Sequence, residues 1–429
     1  MKKKAKKHQL TTLGNGFRVL SFPMAGRESV SLGVWTACGG RYEEVPKAGM
    51  SHFIEHLVFK GTKNYTALEI KKAIEGVGGY LNAFTAEEFT CYMAKVTPKY
   101  LKQAISVLSE MVICPRLALR DFEKEKFVIL EEIKLYLDIP MHHVVDVLFK
   151  LLWPNQSLGI FLAGTYQTVS DLTHKELKNF MNTHYTTPNM GIIACGDISH
   201  GKLVKEVDSN FRSLRDGTKN VFEEAKVIQG NKPKVKFIEK KLEQTHLAVG
   251  FHISGRKSPK RFTEALLNII LGANMSSRLF QEVREKRSLA YEIHSQTRRY
   301  DEAGVLVING GIHNDKKEEA LKVILGELKK LKVKAPSSDE LKRAKEYFRG
   351  QFKLALEDTT ERMIWLGENL ITLDKIENEQ YILREIDKVT PRDIKNTASE
   401  IFKTSDLNLS AIGPLKSKEE KSIEHYLNL

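Results

Sequence analysis

One order of predicted elements occurs twice along the 429 residues of this chain. The first half runs from the strand-like segments "FRVLSF" and "SVSLGVWTACGG" through helical segments, two short strands and further helices to the buried strand "NMGIIACGDI". The second half runs from the strand "THLAVGFHI" through helical segments, the strand "GVLVINGGI" and further helices to the strand "LNLSAIG". This recurrence indicates duplication of one unit that contains both strands and helices. We therefore predict an α+β fold of two structurally similar domains, each a mixed, largely antiparallel sheet with helices packed on one face.

A polar stretch separates the two halves. Residues 212–234, "RSLRDGTKNVFEEAKVIQGNKPK", break the hydrophobic periodicity and are the best candidate for a linker. The chain is also too long for one ordinary core. We predict one domain over residues 1–220 and a second, related domain over residues 221–429.

The composition argues against a membrane protein and against a disulfide scaffold. Apolar residues make up 41% of the chain and charged residues 28%, and no run of about 18 apolar residues could span a bilayer. The opening "MKKKAKKHQLTTLGNGF" is basic but lacks the apolar core of a secretory signal, so we expect a cytoplasmic protein. The four cysteines, Cys38, Cys91, Cys114 and Cys195, have no paired spacing, which predicts buried thiols.

The net charge of +13 raises nucleic-acid binding as an alternative. Against it, the 54 acidic residues are interspersed with the 67 basic ones beyond the first seven positions. The chain also lacks the combined aromatic and basic signature of RNA-binding domains. We therefore expect no nucleic-acid partner and interpret the lysines as a solvated surface. A nucleic-acid-binding protein would instead show retention on DNA that falls steeply with salt.

The segment "SHFIEHLVFKGT", residues 51–62, carries His52, Glu55 and His56 within about one helical turn. At about 100° per residue these three side chains fall on one side of a helix and the apolar neighbours cover the rest. Imidazoles at i and i+4 can both bind one divalent cation, and a carboxylate between them can accept a proton from water. H-x-x-E-H is the inverted zinc-peptidase signature, and the alternative is a pair of histidines satisfied on a helix surface.

A catalytic zinc site needs a third protein ligand and leaves one position for water. The downstream helix "EKFVILEE" offers Glu125, Glu131 and Glu132. Glu125 and Glu132 share a face two turns apart, whereas Glu131 points about 100° away. We predict Glu132 as the ligand, because a metal-bound carboxylate tolerates an apolar helix better than an unpaired one. We predict that Glu125 orients a histidine, with an ordinary surface charge among lysines as the open alternative.

The expected cofactor is Zn²⁺, although imidazole and carboxylate ligands also tolerate manganese and cobalt. A strand beside the metal helix could bind an extended peptide, because an exposed edge offers unpaired N–H and C=O groups. The stretch "GGYLNAFTAEEF" contains such a strand, with Asn82 and Ala83 within it. The alternative is an ordinary inner strand.

Three segments, "HFIEHLVFKGT", "GGYLNAFTAEEFTCYMAKV" and "EKEKFVILEEI", resemble the pitrilysin-type zinc peptidases. The similarity is closest to the branch that contains mitochondrial processing peptidase and its short bacterial relatives. In that family the last glutamate of an E-R-x-V-I-L-x-E helix is the third metal ligand, which corresponds to Glu132, and Lys126 stands where arginine is usual. The family holds its substrate on the edge strand, which implies Asn82 and Ala83 as substrate contacts.

The second half contains "SSRLFQEVREKRSLAYEI", which is similar to the family segment S-R-L-F-x-x-x-R-E-x-x-G-L-A-Y. The resemblance implies that Arg284 and Tyr291 reach the active site from another domain, where a guanidinium or phenol supplies a donor to the oxyanion. Ser288 replaces the usual glycine, which puts the local turn in question. Domain 1–220 would then be the metal-binding peptidase domain, and domain 221–429 would supply the arginine and the tyrosine.

Family members enclose peptides in a chamber of four related domains, of which this chain supplies two. The resemblance therefore implies a homodimeric zinc endopeptidase for short unfolded peptides, in which the metal set of one chain faces Arg284 and Tyr291 of the other. The alternative is a non-catalytic, peptide-binding subunit of a heteromeric processing peptidase, which would normally carry a degraded metal motif.

Overall fold

In the computed structural model, which describes residues 8–228, 230–415 and 417–429, the chain forms two compact units. Each unit contains a sheet and helices, which confirms the predicted α+β class with two domains. The basic opening at residues 1–7 lies outside the described residues. The first unit consists of the residues up to Ile133, Phe161–Glu223 and Lys353–Ile376, and the second of Lys134–Ile160, Glu224–Phe352 and Glu377–Leu429.

The first unit is built on a six-stranded sheet. Its strands are β1 (Gln9–Thr12), β2 (Arg18–Pro23), β3 (Val30–Thr36), β4 (Tyr80–Thr85), β5 (Thr90–Val96) and β6 (Met190–Gly196). They lie in the order β1-β2-β6-β3-β5-β4, with β2 and β6 parallel and the other neighbours antiparallel. The strand β4 therefore forms an edge of this sheet.

The second unit is built on a five-stranded sheet. Its strands are β7 (Lys234–Glu239), β8 (Gln244–Ser254), β9 (Ala290–Arg299), β10 (Ala303–His313) and β11 (Asn408–Gly413). The order is β7-β11-β8-β10-β9, with β7 and β11 parallel and the other neighbours antiparallel. The five strands of this sheet have the same order and the same relative directions as β2-β6-β3-β5-β4 in the first sheet. The predicted duplication requires this repetition.

Helices fill the connections between the strands. They are α1 (Met50–Val58), α2 (Ala67–Ile74), α3 (Leu101–Ile113), α4 (Leu119–Leu137), α5 (Pro140–Leu152), α6 (Tyr166–Asp171), α7 (His174–His184), α8 (His200–Phe211), α9 (Arg261–Leu271), α10 (Lys317–Val333), α11 (Ser338–Ala355), α12 (Thr359–Leu373), α13 (Glu379–Lys388), α14 (Pro391–Ile401) and α15 (Ser417–Tyr426). The predicted linker, as far as it is described, contains neither helix nor strand between Phe211 and Lys234. Within the described part of the chain, no helix is both long and apolar enough to cross a membrane.

Both faces of the first sheet are covered. On one face, inward side chains such as Leu32 and Val34 join the core that includes α1, α3 and α4. On the other face, Trp35 packs with Met363 and Leu366 of α12. This explains why every residue of β3 is buried. It also differs from the prediction, which placed helices on one face only.

The helix α12 comes from the second half of the sequence and α5 from the first, yet each contributes to the other unit. In the second unit α5 packs on β8 and β11, with Leu148 of α5 in one core with Ala248 and Ile412. These strands correspond to β3 and β6, on which α12 packs in the first unit. The predicted single division after residue 220 therefore differs from the observed units at residues 134–160 and 353–376. An amphipathic pattern shows that a helix buries one face, but it does not show which sheet covers that face.

Candidate metal centre

The helix α1 separates apolar from polar side chains, as its sequence predicts. Phe53, Ile54, Leu57 and Val58 are fully buried. His52, Glu55 and His56 lie on the remaining side and are partly exposed. Burial of the apolar side fixes the rotation of the helix, and this rotation brings the two imidazoles together. Their ring centroids are 4.7 Å apart.

The first turn of α1 is held by a residue that the sequence analysis missed. Gly49 precedes the helix with φ of +106°, a conformation that favours glycine, and it offers no side-chain cap. Instead, Glu43 accepts hydrogen bonds from the backbone N–H groups of Gly49 and Ser51, both at 2.6 Å. Burial raises the pKa of Glu43 to about 7, although these N–H bonds act in the opposite direction. The carboxylate thus satisfies two N–H groups that the helix start would leave unpaired.

The second helix of the site, α4, is fixed against α1 by aromatic packing. The rings of Phe53 and Phe122 stack with centroids 4.9 Å apart and planes 12° from parallel. The buried face of α4 contains Phe122, Glu125, Ile129 and Ile133. This face brings Glu125, and Glu132 two turns later, to the histidines of α1.

The structure brings His52, His56 and Glu132 together. His52 Nε2 lies 3.8 Å from Glu132 Oε1, and His56 Nε2 lies 3.5 Å from Glu132 Oε2. Two ligands that each lie 2.0–2.1 Å from a tetrahedral zinc are about 3.4 Å apart, so these separations need only small shifts to enclose an ion. Among the described residues, these three are the one group of histidine, cysteine and acidic side chains whose donor atoms converge, all within 4.8 Å. The donor set therefore fits a divalent cation.

The burial expected for Glu132 was wrong. Its side chain is 45% exposed, whereas the sequence argument placed it inside an apolar helix. Spacing along α4 placed Glu132 on the face of Glu125, but the burial argument that chose between the two does not hold, because the neighbouring Val128 and Leu135 are exposed as well. The exposed side leaves room for water and substrate at the site.

The surroundings of His52 favour its neutral form. Burial, and then the neighbouring charge of His56, lower the pKa of His52 to about 4. The ring is therefore neutral at physiological pH, which is the form that binds a metal. The buried Nδ1 of His52 has no hydrogen-bond partner among the described residues, so packing rather than hydrogen bonding holds this ring.

Glu125 is buried, with 5% of the residue exposed, which contradicts the alternative of a surface charge. Its Oε2 lies 3.3 Å from His56 Nδ1, and its Oε1 lies 2.6 Å from Lys60 Nζ. Burial acts to raise the pKa of Glu125, but the hydrogen bonds from His56 and Lys60 outweigh it and lower the pKa overall. The resulting carboxylate accepts the Nδ1–H of His56 and leaves Nε2 free to bind a cation, as the prediction for Glu125 requires.

Glu55 is placed beside the histidines and is partly buried. Burial raises the pKa of Glu55, and a hydrogen bond from Thr85 opposes this rise. Thr85 Oγ1 donates to Glu55 Oε2 at 2.5 Å. The sequence analysis quoted the segment that contains Thr85 but gave the residue no role.

The predicted substrate residues lie on β4, which is an edge strand and not an inner one. The strand packs beside α1. Asn82 is exposed and donates through Nδ2 to Tyr80 Oη at 2.7 Å, whereas Ala83 is buried. The sheet edge next to the metal ligands therefore presents backbone groups to an extended chain.

Arg284 and Tyr291 come together in the second unit. Arg284 lies in the π-helical segment Phe280–Glu285, and its guanidinium is 5.6 Å from the centroid of the Tyr291 ring. Tyr291 is 76% exposed at the start of the edge strand β9. Both residues line a pocket of about 480 Å³ together with His313.

Ser288 keeps the turn that a glycine would make. Its φ is +50°, in the left-handed region. Its N–H donates to the carbonyl of Arg284, and the N–H of Leu289 donates to the carbonyl of Val283, both at 2.9 Å. The replacement of the usual glycine therefore leaves the connection between Arg284 and Tyr291 intact at the cost of some backbone strain.

Comparison with known proteins identifies the family. Residues 18–166 match the insulinase family, peptidase family M16, and residues 171–348 match the inactive domain of M16 peptidases. A zinc protease of Bacillus subtilis, named as uncharacterized, is 35% identical over 403 residues, which cover 94% of this chain and 97% of that protein. The chain belongs to the M16 peptidase family. An uncharacterized zinc protease of Streptomyces coelicolor is similar to this M16 chain at 34% identity over 95% of the chain and 90% of that protein.

Solved structures match the fold of the M16 chain over nearly its whole length. A protease from Helicobacter pylori superposes with a TM-score of 0.91 at 24% identity and covers 95% of this chain and 100% of that one. An M16 inactive domain from Pseudomonas fluorescens gives 0.86 at 20% identity over 96% and 98% of the two chains. At these identities the likeness shows the fold alone.

Proposed function

We propose that this M16 chain is a zinc-dependent metalloendopeptidase that hydrolyses short, unfolded peptides. The convergence of His52, His56 and Glu132 at the spacing of metal ligands carries the proposal. Glu55 stands one turn from one ligand and next to the other, where a general base is needed. The similar proteins of Bacillus and Streptomyces are named zinc proteases, which supports the choice of metal and reaction class.

Each residue then has a definite role. When bound, a divalent cation supplies the positive charge that lowers the pKa of a water ligand towards about 7 and polarises a peptide carbonyl. Glu55 accepts the proton of the attacking water and returns it to the leaving amine. Glu125 fixes the ring of His56. The edge strand β4 pairs with the peptide backbone, so that Asn82 and Ala83 contact the substrate independently of its sequence.

The proposal includes a homodimer, because this one chain contains both the metal set and the pair Arg284 and Tyr291. Arg284 and Tyr291 of one chain would complete the metal set of the other and donate hydrogen bonds to the oxyanion. The exposure of Tyr291 and the pocket beside Arg284 suit such a role.

The first test combines metal analysis with cleavage of a quenched fluorescent peptide. The wild type should contain one zinc per chain, and a chelator should remove its activity. Glu55→Gln should retain the zinc and lose activity by about 10² to 10⁴-fold, because the base is lost and the ligands are not. A wild type that binds peptides without cleaving them would contradict the enzyme and support the non-catalytic subunit.

The dimer has its own test. Glu55→Gln chains and Arg284→Ala chains should each be inactive, and a mixture allowed to exchange subunits should recover about a quarter of the wild-type activity. The recovered site combines the intact metal set of one variant with the intact arginine of the other. Failure to recover activity, or an active monomer in light scattering, would contradict this arrangement.

A further inference from the structure

The hydroxyl of Thr85 is placed where it determines the orientation of the Glu55 carboxylate. Thr85 is the last residue of β4, and its Oγ1 lies 2.5 Å from Glu55 Oε2. No other side-chain donor to Glu55 is found among the described residues. The edge strand therefore supports the carboxylate next to the two histidines.

A neighbouring threonine makes its own hydrogen bond elsewhere and does not compete for Glu55. Thr90 pairs with Thr85 across the hairpin, and its hydroxyl donates to the carbonyl of Cys38 at 2.9 Å. The two threonine oxygens are 3.5 Å apart, so Thr90 gives its single proton to the shorter bond. An ionised carboxylate can only accept, and the proton of Thr85 must therefore point to Glu55.

The bond occupies one oxygen of the carboxylate and leaves the other available. A general base requires one free oxygen at a fixed position, because proton transfer depends on heavy-atom distances of about 2.6–3.2 Å. A carboxylate without this bond can rotate about its last torsion, which is broad and weakly restrained. The hydroxyl thus restricts Glu55 to one orientation.

Thr85 also links the base to the strand that would hold the peptide. Asn82 and Ala83 lie on the same six-residue strand, three and two positions before Thr85. A peptide that pairs with β4 therefore binds to the element that carries the donor to Glu55. Substrate alignment and orientation of the base would share one rigid support.

We infer that Thr85 is a positioning residue that holds Glu55 in the orientation needed for proton transfer, an inference that rests on the proposed peptidase function. Within the described part of the chain, the side chain of Thr85 is hydrogen-bonded to Glu55 and not to His52, His56 or Glu132. Its removal should therefore slow turnover without changing metal or peptide binding.

The experiment compares zinc-loaded, full-length variants on one quenched fluorescent peptide. Thr85→Val keeps the shape of the side chain and removes the hydroxyl, and Thr85→Ser keeps the hydroxyl. We expect kcat of Thr85→Val to fall about tenfold with KM unchanged, because the hydrogen bond that orients the base is lost and the peptide-binding strand is kept. Thr85→Ser should stay close to the wild type. Metal analysis should find one zinc per chain in each variant.

Thr90→Val is the matched control from the same hairpin. It removes the donor to the Cys38 carbonyl, so its melting temperature should fall while kcat stays near the wild-type value. The inference is overturned if Thr85→Val retains wild-type kcat, if Thr85→Ser is impaired equally, or if the loss of activity follows a loss of zinc.

Crystal structures of the same variants test the inference without activity. The Glu55 carboxylate should occupy one conformation in the wild type and in Thr85→Ser, and it should be displaced or occupy several conformations in Thr85→Val. An unchanged single conformation in Thr85→Val would contradict the positioning role. A wild type that holds zinc but cleaves no peptide would instead contradict the proposed function, and the crystallographic comparison would still decide on Thr85.

Discussion

Two glutamates on α4 face the same histidines but have opposite surroundings. Glu125 is 5% exposed and lies between His56 and Lys60. Glu132 has a side chain that is 45% exposed and approaches the Nε2 atoms of both histidines. A carboxylate that orients a ring can be fully enclosed, whereas a ligand at a catalytic site needs an open side for water and substrate. The buried Glu125 therefore suits the orienting role, and the exposed Glu132 suits the role of a metal ligand.

At the residue scale we expect Glu125→Gln to weaken zinc binding by about 10 to 100-fold, because His56 loses the acceptor that fixes its ring and tautomer. Competition with a chromophoric chelator measures the change. The matched control is Glu131→Gln, an exposed position on the same helix outside the converging group. Equal zinc affinity in Glu125→Gln and the wild type, or an equal loss in both variants, would contradict the orienting role.

At the element scale, the short connections before α1 and before β9 determine where the candidate site residues lie. The helix α1 starts at a glycine with positive φ and is held by the carboxylate of Glu43 from the preceding connection. In the second unit, the turn after the π-helical segment Phe280–Glu285 contains Ser288, which also has positive φ and lies three residues before Tyr291. At Gly49 and at Ser288, a backbone turn with positive φ sets the direction of the chain that follows. This direction determines the positions of the α1 histidines and of Tyr291.

Ser288 allows a direct test of such a connection. Because a residue other than glycine in the left-handed region is strained, Ser288→Gly should stabilise the protein by about 0.5–1 kcal/mol, less the larger entropy of the unfolded glycine chain. Thermal unfolding measures this effect, and Ser288→Ala should be no more stable than the wild type. Lower stability of Ser288→Gly would contradict the assigned backbone conformation.

At the scale of the whole molecule, each sheet is completed by a helix from the other half of the sequence. Trp35 and its neighbours on the first sheet are covered by α12, and the second sheet is covered by α5. The fit is close, because a Cβ on Gly367 of α12 would lie 2.2 Å from the ring of Trp35. Neither half of the sequence therefore contains all of the helices that cover its own sheet.

This exchange predicts that residues 1–220 expressed alone will aggregate or bind a hydrophobic dye, because the surface around Trp35 is left exposed. Co-expression with residues 221–429 should yield a soluble complex of the two fragments, since each supplies the missing helix. Two fragments that are separately soluble, compact and unable to associate would contradict the exchange. Co-purification and circular dichroism distinguish these outcomes.

Sequence reasoning went furthest where a local pattern determines the outcome. The division of α1 into an apolar and a polar side, the shared face of Glu125 and Glu132 on α4 and the class of fold follow from helical and strand periodicity. The roles of Glu43 and Thr85 depend on contacts between segments that are distant in sequence or on different elements, and no local pattern marks them. The same reason explains why the predicted division after residue 220 did not separate α5 and α12 from the rest of their halves, and why the exposure of Glu132 was misjudged.

The central claim is that one divalent cation binds between two imidazoles of α1 and one carboxylate of α4. Anomalous diffraction at the zinc absorption edge, from crystals of protein purified without added metal, tests it most directly. The account predicts one strong peak per chain within about 2.0–2.2 Å of His52 Nε2, His56 Nε2 and a carboxylate oxygen of Glu132. The absence of a peak there after zinc is supplied, or a peak at other residues, would contradict it.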